Sequence, residues 1–175
     1  MRALLLVAVA VVLLGSPAAA APAAPPSRVL RLDGIGPLTL GMTRPTATAT
    51  GWLAHRSGGC ELGGPPLPVD YRLDGAHAPS GLRGAAEFQD GRLRSIVVSR
   101  GVRTAAGVRP GHTTVARMVA RYRALGFHAT ARHDATFEGT FVTVRRRAGG
   151  RQVLGAFASG SVVDTIGIPF VPVCE

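Results

Sequence analysis

The stretch AAEFQDGRLRSIVVS, residues 85–99, sets the pattern for this chain. Its centre, Asp90-Gly91, is a dipeptide favoured in two-residue type I′ turns, because both central residues of that turn need a positive φ. The flanking residues read as two strands, and the second strand contains a nearly continuous apolar run at 96–98. The sequence therefore predicts an antiparallel hairpin whose second arm is an inner strand of a sheet.

Other strand-like segments lie on both sides of this hairpin. Residues 28–32 and 69–73 precede it, and four segments follow from residue 127 onward: FHATAR, GTFVTVRRR, RQVLGAFA and SVVDTIGI. The pair Gly149-Gly150 lies between the second and third of these four and predicts a tight hairpin there. Together the segments predict an antiparallel sheet.

A strong helix is predicted at residues 114–126. Its apolar residues recur at spacings of three and four and form one stripe: Val115, Met118, Val119, Tyr122 and Leu125. Gly126 suits the position just after the C-terminal end. We expect the stripe to pack on the last strands and to form the main core.

A weaker helix is predicted at residues 44–53. Thr43 suits the N-cap, and Pro45 suits the first turn, where a missing N–H costs nothing. The interior alternates Thr and Ala, so only Trp52 and Leu53 are available for burial. This helix therefore depends on its ends rather than on an apolar stripe.

These elements predict an α+β fold in which short helices pack on an antiparallel sheet. A glycine-bearing segment, a helix and a set of strands occur once in residues 34–99 and again in residues 101–168. The order suggests two degenerate helix-plus-strands repeats within a single domain at residues 28–175.

The N-terminal residues are predicted to lie outside that domain. A basic residue precedes an apolar run at 4–14, and an A-x-A site follows at Ala18 and Ala20, which is the layout of a signal peptide at residues 1–20. The apolar run is shorter than the about 20 residues that a membrane span needs. Residues 21–27 form a Pro/Ala linker that we expect to be disordered. We therefore expect a secreted protein, extracellular or associated with the cell envelope, with no membrane span after cleavage.

The chain is strongly basic, with a formal net charge of +10, and all 20 basic residues are arginine. Exclusive use of Arg, together with abundant Ala, Gly and Pro, indicates a GC-rich genome, so the charge is a poor indicator of nucleic-acid binding. Aromatic residues make up only 5% of the chain, which argues against stacking platforms for single strands. The charge does fit adhesion to anionic envelope polymers.

Two cysteines, Cys60 and Cys174, are the only thiols of the chain. In an exported protein we expect them to form one disulfide, because the compartment is oxidising. The bond would close a long loop and contribute roughly 4–5 kcal/mol in the chain-entropy description. Two buried free thiols are the alternative.

The stretch LTLGMTRPTATATGWL, residues 38–53, resembles the Gly-Met-Thr signature of the β-lactamase-inhibitory-protein fold. It is also similar to the small outer-membrane assembly lipoproteins of the SmpA/OmlA type. The matching residues are Leu40, Gly41, Met42, Thr43 and Gly51. The resemblance implies a short helix that opens after Gly-Met-Thr and packs on an antiparallel sheet, in one copy or two. It does not carry an inhibitory activity over to this chain.

No catalytic signature is present in the sequence. Without Lys there is no P-loop lysine, no S-x-x-K nucleophile and no Schiff base, and no G-x-S-x-G elbow occurs. An unmarked Ser/His/Asp site stays open as an alternative, with these candidate residues: Ser57, Ser99, Ser159, His112 and Asp164.

The segment HATARHD, residues 128–134, invites a metal-site interpretation. His128 and His133 are five residues apart, so on a strand their side chains would point to opposite faces. Asp134 and Glu138 are expected to be solvated carboxylates. We therefore predict neither a metal site nor a cofactor.

The densest charge surrounds Gly149-Gly150, where four arginines lie close in sequence: Arg145, Arg146, Arg147 and Arg151. One interpretation is a hairpin tip that contacts an anion or a partner. The other is a solvated turn that keeps a sheet edge from pairing.

The sequence as a whole favours a secreted, non-enzymatic binding module that acts on a protein partner or on the cell envelope. The alternative is a small secreted hydrolase with the unmarked Ser/His/Asp site. Nucleic acid is not an expected partner.

Overall fold

The computed structural model describes residues 27–59 and 64–172. The predicted signal peptide (1–20), all but the last residue of the predicted linker (21–27) and both cysteines lie outside the described residues. The described residues form twelve strands and two helices: β1 Val29–Leu30, β2 Gly34–Ile35, β3 Leu38–Thr39, α1 Arg44–Ala49, β4 Ala54–Gly58, β5 Val69–Arg72, β6 Arg83–Gln89, β7 Arg92–Arg100, β8 Arg103–Thr104, α2 Val115–Ala124, β9 His128–Asp134, β10 Gly139–Arg145, β11 Gln152–Ala158 and β12 Thr165–Ile168.

Eight of the strands form one large antiparallel sheet in the order β4-β5-β6-β7-β12-β11-β10-β9. Each half of this sheet is a run of four consecutive strands, and β7 pairs with β12 at the centre, where Val98 lies opposite Ile166. A small sheet of two-residue strands has the order β3-β2-β1-β8. In it β1 runs antiparallel to β2 and parallel to β8.

The core lies between one face of the large sheet and a layer made of the small sheet and the helices. The large sheet contributes fully buried side chains such as Ile96 and Leu154. The small sheet adds Leu30 and Ile35 to the same apolar cluster, and α2 adds Met118. Both halves of the chain therefore share one core.

The prediction of an α+β fold with short helices packed on a sheet is wrong. The described part of the chain is mostly β, with 43% of its residues in strands and 11% in helix, and it contains only the two short helices. The glycine-bearing segments that precede the two helices contain strands of the small sheet: β2 and β3 in the first half and β8 in the second. Pairing of the backbone in those strands satisfies donors and acceptors that would otherwise be buried unpaired.

The Asp90-Gly91 hairpin is confirmed. Both residues have positive φ, 53° and 70°, and Gln89 lies opposite Arg92. A hairpin joins β10 and β11 at Gly149-Gly150 as predicted, but its turn is not tight. The last pair before the loop is Arg145 with Gln152, so the loop spans residues 146–151.

Helix α1 is shorter than predicted and ends at Ala49. Thr43 is its N-cap, and its Oγ1 accepts a hydrogen bond from the N–H of Thr46 at 3.5 Å. After the helix, the Trp52 side chain is 3% exposed and lies against Gly36, where a Cβ would come within 2.2 Å of the ring. Contacts beyond its own turns thus hold the α1 region in place.

Helix α2 lies over β9 and β10. Thr114 is its N-cap, and the stripe residues Met118 and Tyr122 are buried as predicted. Leu125 is not part of this packing: it is the C-cap residue and is 59% exposed. The expectation that it contributes to the core is therefore wrong, because the helix ends before the stripe reaches it.

The segments before the two helices are held in the same way. Gly41 N–H donates to the Leu93 carbonyl at 2.8 Å, and Leu93 N–H donates back to this segment at 2.9 Å. Gly111 N–H donates to the Val163 carbonyl at 2.8 Å, and Val163 N–H donates back at 2.9 Å. The segment before α1 thus pairs with the start of β7, and the segment before α2 pairs with the residues just before β12. The duplication itself stays a prediction.

Candidate functional site

The face of the large sheet that points away from the helices is the candidate site, and we call it the outer face. One cross-strand row on it runs over β9, β10, β11 and β12: Arg132, Phe141, Phe157 and Thr165. The next residues along two of these strands, Val142 and Ala156, are buried in the core. Because side chains alternate along a strand, the row faces the opposite side.

Three phenylalanines on the outer face form a continuous cluster, which we call the phenylalanine patch. The rings of Phe137 and Phe141 are 5.7 Å apart edge to face, and those of Phe141 and Phe157 are 5.0 Å apart. The ring of Phe157 also covers Gly139, where a Cβ would come within 2.3 Å of it. All three side chains are half-buried, and Arg132 beside them is exposed. The patch is therefore an ordered apolar surface with a cation at its rim.

The C-terminal segment at 169–172 covers the middle of the outer face. A Cβ at Gly167 would come within 2.1 Å of the Phe170 carbonyl oxygen, and one at Gly155 within 3.1 Å of the Val171 nitrogen. Glycine at these two positions lets the segment lie directly on the backbone of β11 and β12. Among the described residues, this segment leaves the three rings of the phenylalanine patch partly exposed.

A second row on the outer face is polar and lies in the other half of the sheet. We call it the acidic row, and its members are direct cross-strand neighbours: Asp70 on β5, Glu87 on β6 and Ser95 on β7. Arg94 Nε lies 3.8 Å from Glu87 Oε1, and its guanidinium lies over the Phe170 ring at 5.2 Å from the centroid. The row is therefore partly covered by the arginine and the C-terminal segment.

The two carboxyl groups of this row are held in an unfavourable environment for negative charge. Burial raises the pKa of Asp70. Burial and the negative charge of Asp70 raise the pKa of Glu87, and Arg94 partly opposes that rise. Glu87 Oε1, Asp70 Oδ1 and Ser95 Oγ have no hydrogen-bond partner among the described residues. The row favours uptake of a proton, since a protonated carboxyl can donate to a neighbouring oxygen.

The structure does not assemble a Ser/His/Asp triad from the described candidates. Ser159 Oγ lies 2.7 Å from Asp164 Oδ2, but both residues are exposed on the turn before β12. His112 makes no side-chain hydrogen bond to either within the described part of the chain, and it lies in the turn before α2. Ser57 and Ser99 are exposed near the ends of β4 and β7.

His128 and His133 lie on opposite faces of β9. His128 is opposite Arg145 and His133 is opposite Thr140, two residues of β10 whose side chains alternate in the same way. Across residues 27–59 and 64–172, no group of three or more His, Cys, Asp or Glu side chains could hold a metal ion.

The predicted arginine cluster lies at the β10–β11 hairpin. Arg145 closes this loop, because its Nη1 donates to the Gly150 carbonyl at 2.6 Å. The other three are exposed around the loop: Arg146, Arg147 and Arg151. Contact with an anion or a partner and protection of the edge both stay predictions for this hairpin.

Sequence reasoning missed both rows of the outer face. The alternation in GTFVTVRRR could have placed Phe141 on the outer face. Val142 and Val144 alternate with Phe141 and Thr143, so when the two valines are buried in the core, Phe141 lies on the opposite face. The acidic row had no such signal, because its members come from three strands whose register the sequence does not reveal.

No protein-family model matches the chain, and neither a curated protein nor a solved structure matches it. Within the described residues, neither helix has the length and apolar character required to cross a membrane.

Proposed function

We propose that this protein is a secreted, non-enzymatic binding module that holds a protein partner on its outer face. The observation that carries the proposal is the phenylalanine patch (Phe137, Phe141 and Phe157), an ordered apolar surface on an open sheet face with Arg132 at its rim. Interface residues that dominate binding are enriched in aromatic side chains and arginine. The same combination occurs here on adjacent strands.

The patch favours a protein over a polyanionic polymer as the partner. A polymer would be held mainly by charge and would not need three packed aromatic rings. The rings already contact one another, so little side-chain freedom is lost when a partner covers them. The net charge of +10 favours a partner whose surface is acidic.

The expected signal peptide and the resemblance of residues 38–53 to the β-lactamase-inhibitory-protein fold support a protein-binding role outside the cytoplasm. Neither names the partner.

Site-specific photocrosslinking tests the proposal. A photoreactive amino acid replaces Thr143, which is next to the patch on β10, and in a matched protein it replaces Arg117, which is exposed on α2. Incubated with culture supernatant and wall fraction, the Thr143 probe is expected to give one discrete protein adduct that the Arg117 probe does not give. Adding Arg132→Glu should reduce this adduct at least tenfold, whereas Arg117→Glu in the Thr143 probe should leave it unchanged.

Adducts of equal yield from both positions, or none from Thr143, would contradict the proposal. A serine-directed fluorophosphonate probe tests the hydrolase alternative in parallel. Covalent labelling of Ser159 that is lost in Asp164→Asn would favour an enzyme over the binding module.

A further inference from the structure

A pocket of about 330 Å³ lies where β7, β8 and the turn before α2 meet. Five cationic or basic side chains line it: Arg28, Arg100, Arg103, Arg109 and His112. Its remaining walls are the glycine turn after β7 and two buried apolar residues, Val102 and Pro110. We call it the arginine pocket.

The arginine pocket has no built-in negative charge. No Asp or Glu is among its lining residues. The ion pairs between described residues join other arginines, namely Arg31, Arg72 and Arg94, to acids elsewhere. The basic lining residues are exposed at the mouth of the cavity. Like charges that line one cavity repel each other, and an anion placed between them reduces that repulsion.

Two backbone features hold the arginines around the cavity. Gly101 has a φ of +80°, and a Cβ there would come within 2.5 Å of the Gly81 carbonyl oxygen, so glycine is required where the chain turns between Arg100 and Arg103. On the other wall, Arg109 N–H donates to the buried Thr113 Oγ1 at 2.9 Å.

The turn that carries Arg109 is closed by a further pair of bonds. The Arg109 carbonyl accepts from the N–H groups of His112 and Thr113 at 3.2 and 3.0 Å. Arg28 is anchored as well, because its Nη2 donates to the Ser80 carbonyl at 3.0 Å. The cations are thus presented from three anchored segments rather than from one mobile loop.

We infer that the arginine pocket binds a phosphate-class oxyanion. The planar guanidinium fork matches the oxygens of phosphate in pairs and stays charged at any physiological pH. Four forks and an imidazole suit a group with several acceptor oxygens and more than one negative charge. The volume is that of a small-ligand site, which fits a phosphate group with a small attached moiety.

The phosphate can come from two sources. It is either a free phosphate or small phosphate ester, or the headgroup of an anionic phospholipid. Both present the same oxyanion to the same side chains, so the experiment has an arm for each.

Isothermal titration calorimetry of the whole protein with inorganic phosphate at low ionic strength tests the first source. Arg103→Gln/Arg109→Gln removes two charges from the pocket, and Arg56→Gln/Arg117→Gln removes two exposed charges from β4 and α2, away from the pocket lining, as a matched control. We expect the pocket pair to weaken binding at least tenfold and the control pair less than twofold. Flotation with phosphatidylglycerol vesicles, compared with phosphatidylcholine vesicles, tests the second source with the same two variants.

The inference is supported if the pocket double variant loses binding and the control double variant does not, in either the phosphate titration or the vesicle flotation. The measurement that shows this selective loss identifies the source of the phosphate. Equal loss in both double variants means that binding follows net charge and overturns the inference. Absence of binding in both arms by the unmutated protein also overturns it. Thermal melts establish that each variant folds, and Arg100→Gln, exposed at the end of β7, replaces the pocket pair if that variant does not fold.

Discussion

Glu87 is a carboxylate held where a carboxylate is disfavoured. Its side chain is buried at 5% exposure, Asp70 lies beside it across the sheet, and Arg94 is 3.8 Å away, which is beyond hydrogen-bond distance. Oε1 has no hydrogen-bond partner among the described residues. An unpaired buried polar group costs free energy, so the folded state favours the protonated form of Glu87.

The stability of the protein should therefore fall as pH rises through the acidic range. Asp70 and Glu87 have folded-state pKa values raised above the ordinary 3.8 and 4.5, so between those values and the raised ones the folded state holds more protons than the unfolded state. The two protonated carboxyl groups contribute fully to the free energy of unfolding when the pH is below their ordinary pKa values. This contribution is lost as the pH rises through their raised folded-state pKa values.

Glu87→Gln should remove the Glu87 part of this pH dependence. At neutral pH we expect the free energy of unfolding of the variant to be about 1 kcal/mol higher than that of the unmutated protein, because the buried charge is gone. Below the ordinary carboxyl pKa the two should be equal, since protonated Glu87 resembles glutamine. Urea unfolding at both pH values measures this, and Glu138→Gln, on an exposed turn, is the control. A destabilised variant at neutral pH would show that the Arg94 ion pair outweighs the burial of charge.

At the scale of elements, α2 shows where helical periodicity stops being informative. Val115 to Tyr122 follow the predicted stripe, and Met118 and Tyr122 are buried. The helix then ends at Ala124, so Leu125 leaves the stripe and its side chain is exposed. Periodicity identifies a face, but the position of the C-cap decides which residues lie on it.

Met118→Ala and Leu125→Ala should differ sharply in stability. Met118 is fully buried, so its truncation leaves a cavity and should cost about 2–5 kcal/mol. Leu125→Ala should cost less than about 1 kcal/mol because little buried surface is lost. Thr48 in α1 is half-buried, and its Oγ1 donates to the carbonyls of Arg44 and Pro45 in its own helix. Thr48→Ala should change stability by no more than about 0.5 kcal/mol, because no contact with the core is lost. Thermal melts of the three variants measure the order, and equal losses for Met118 and Leu125 would contradict the packing described here.

At the scale of the whole molecule, the two faces of the large sheet have different roles. The inner face is covered by the small sheet and the helices and forms the core. The outer face carries the phenylalanine patch and the acidic row, partly covered by the C-terminal segment. A sheet with only one face packed can use the other for binding without loss of core.

The predicted disulfide also belongs to this scale, because it would join the segment after β4 to the C-terminus. Both Cys60 and Cys174 lie outside the described residues, so the bond stays a prediction. Mass spectrometry of the exported protein under non-reducing conditions is expected to find the two linked, with reduction lowering stability by roughly 4–5 kcal/mol. Two alkylatable thiols would show instead that both cysteines are free.

What the sequence determined by itself is local. Three local predictions are found in the structure: the Asp90-Gly91 turn, the Thr43 N-cap and the burial of Met118 on one face of α2. Each depends on residues that lie within a few positions of each other. Each is governed by backbone dihedrals, a capping hydrogen bond or helical spacing, and none requires knowledge of a distant partner.

Only the tertiary structure decided the mostly β fold and the sites. The β7–β12 pairing at the centre of the large sheet and the parallel pairing of β1 with β8 join segments about 70 residues apart. The arginine pocket depends on the β1–β8 pairing, which brings the segment of Arg28 beside that of Arg103. The acidic row depends on the registers of the neighbouring strands β5, β6 and β7, and a bulge between Glu87 and Phe88 shifts the second of these registers. Strands with similar alternation can pair in many registers, and the free energy that selects one comes from packing across the whole core.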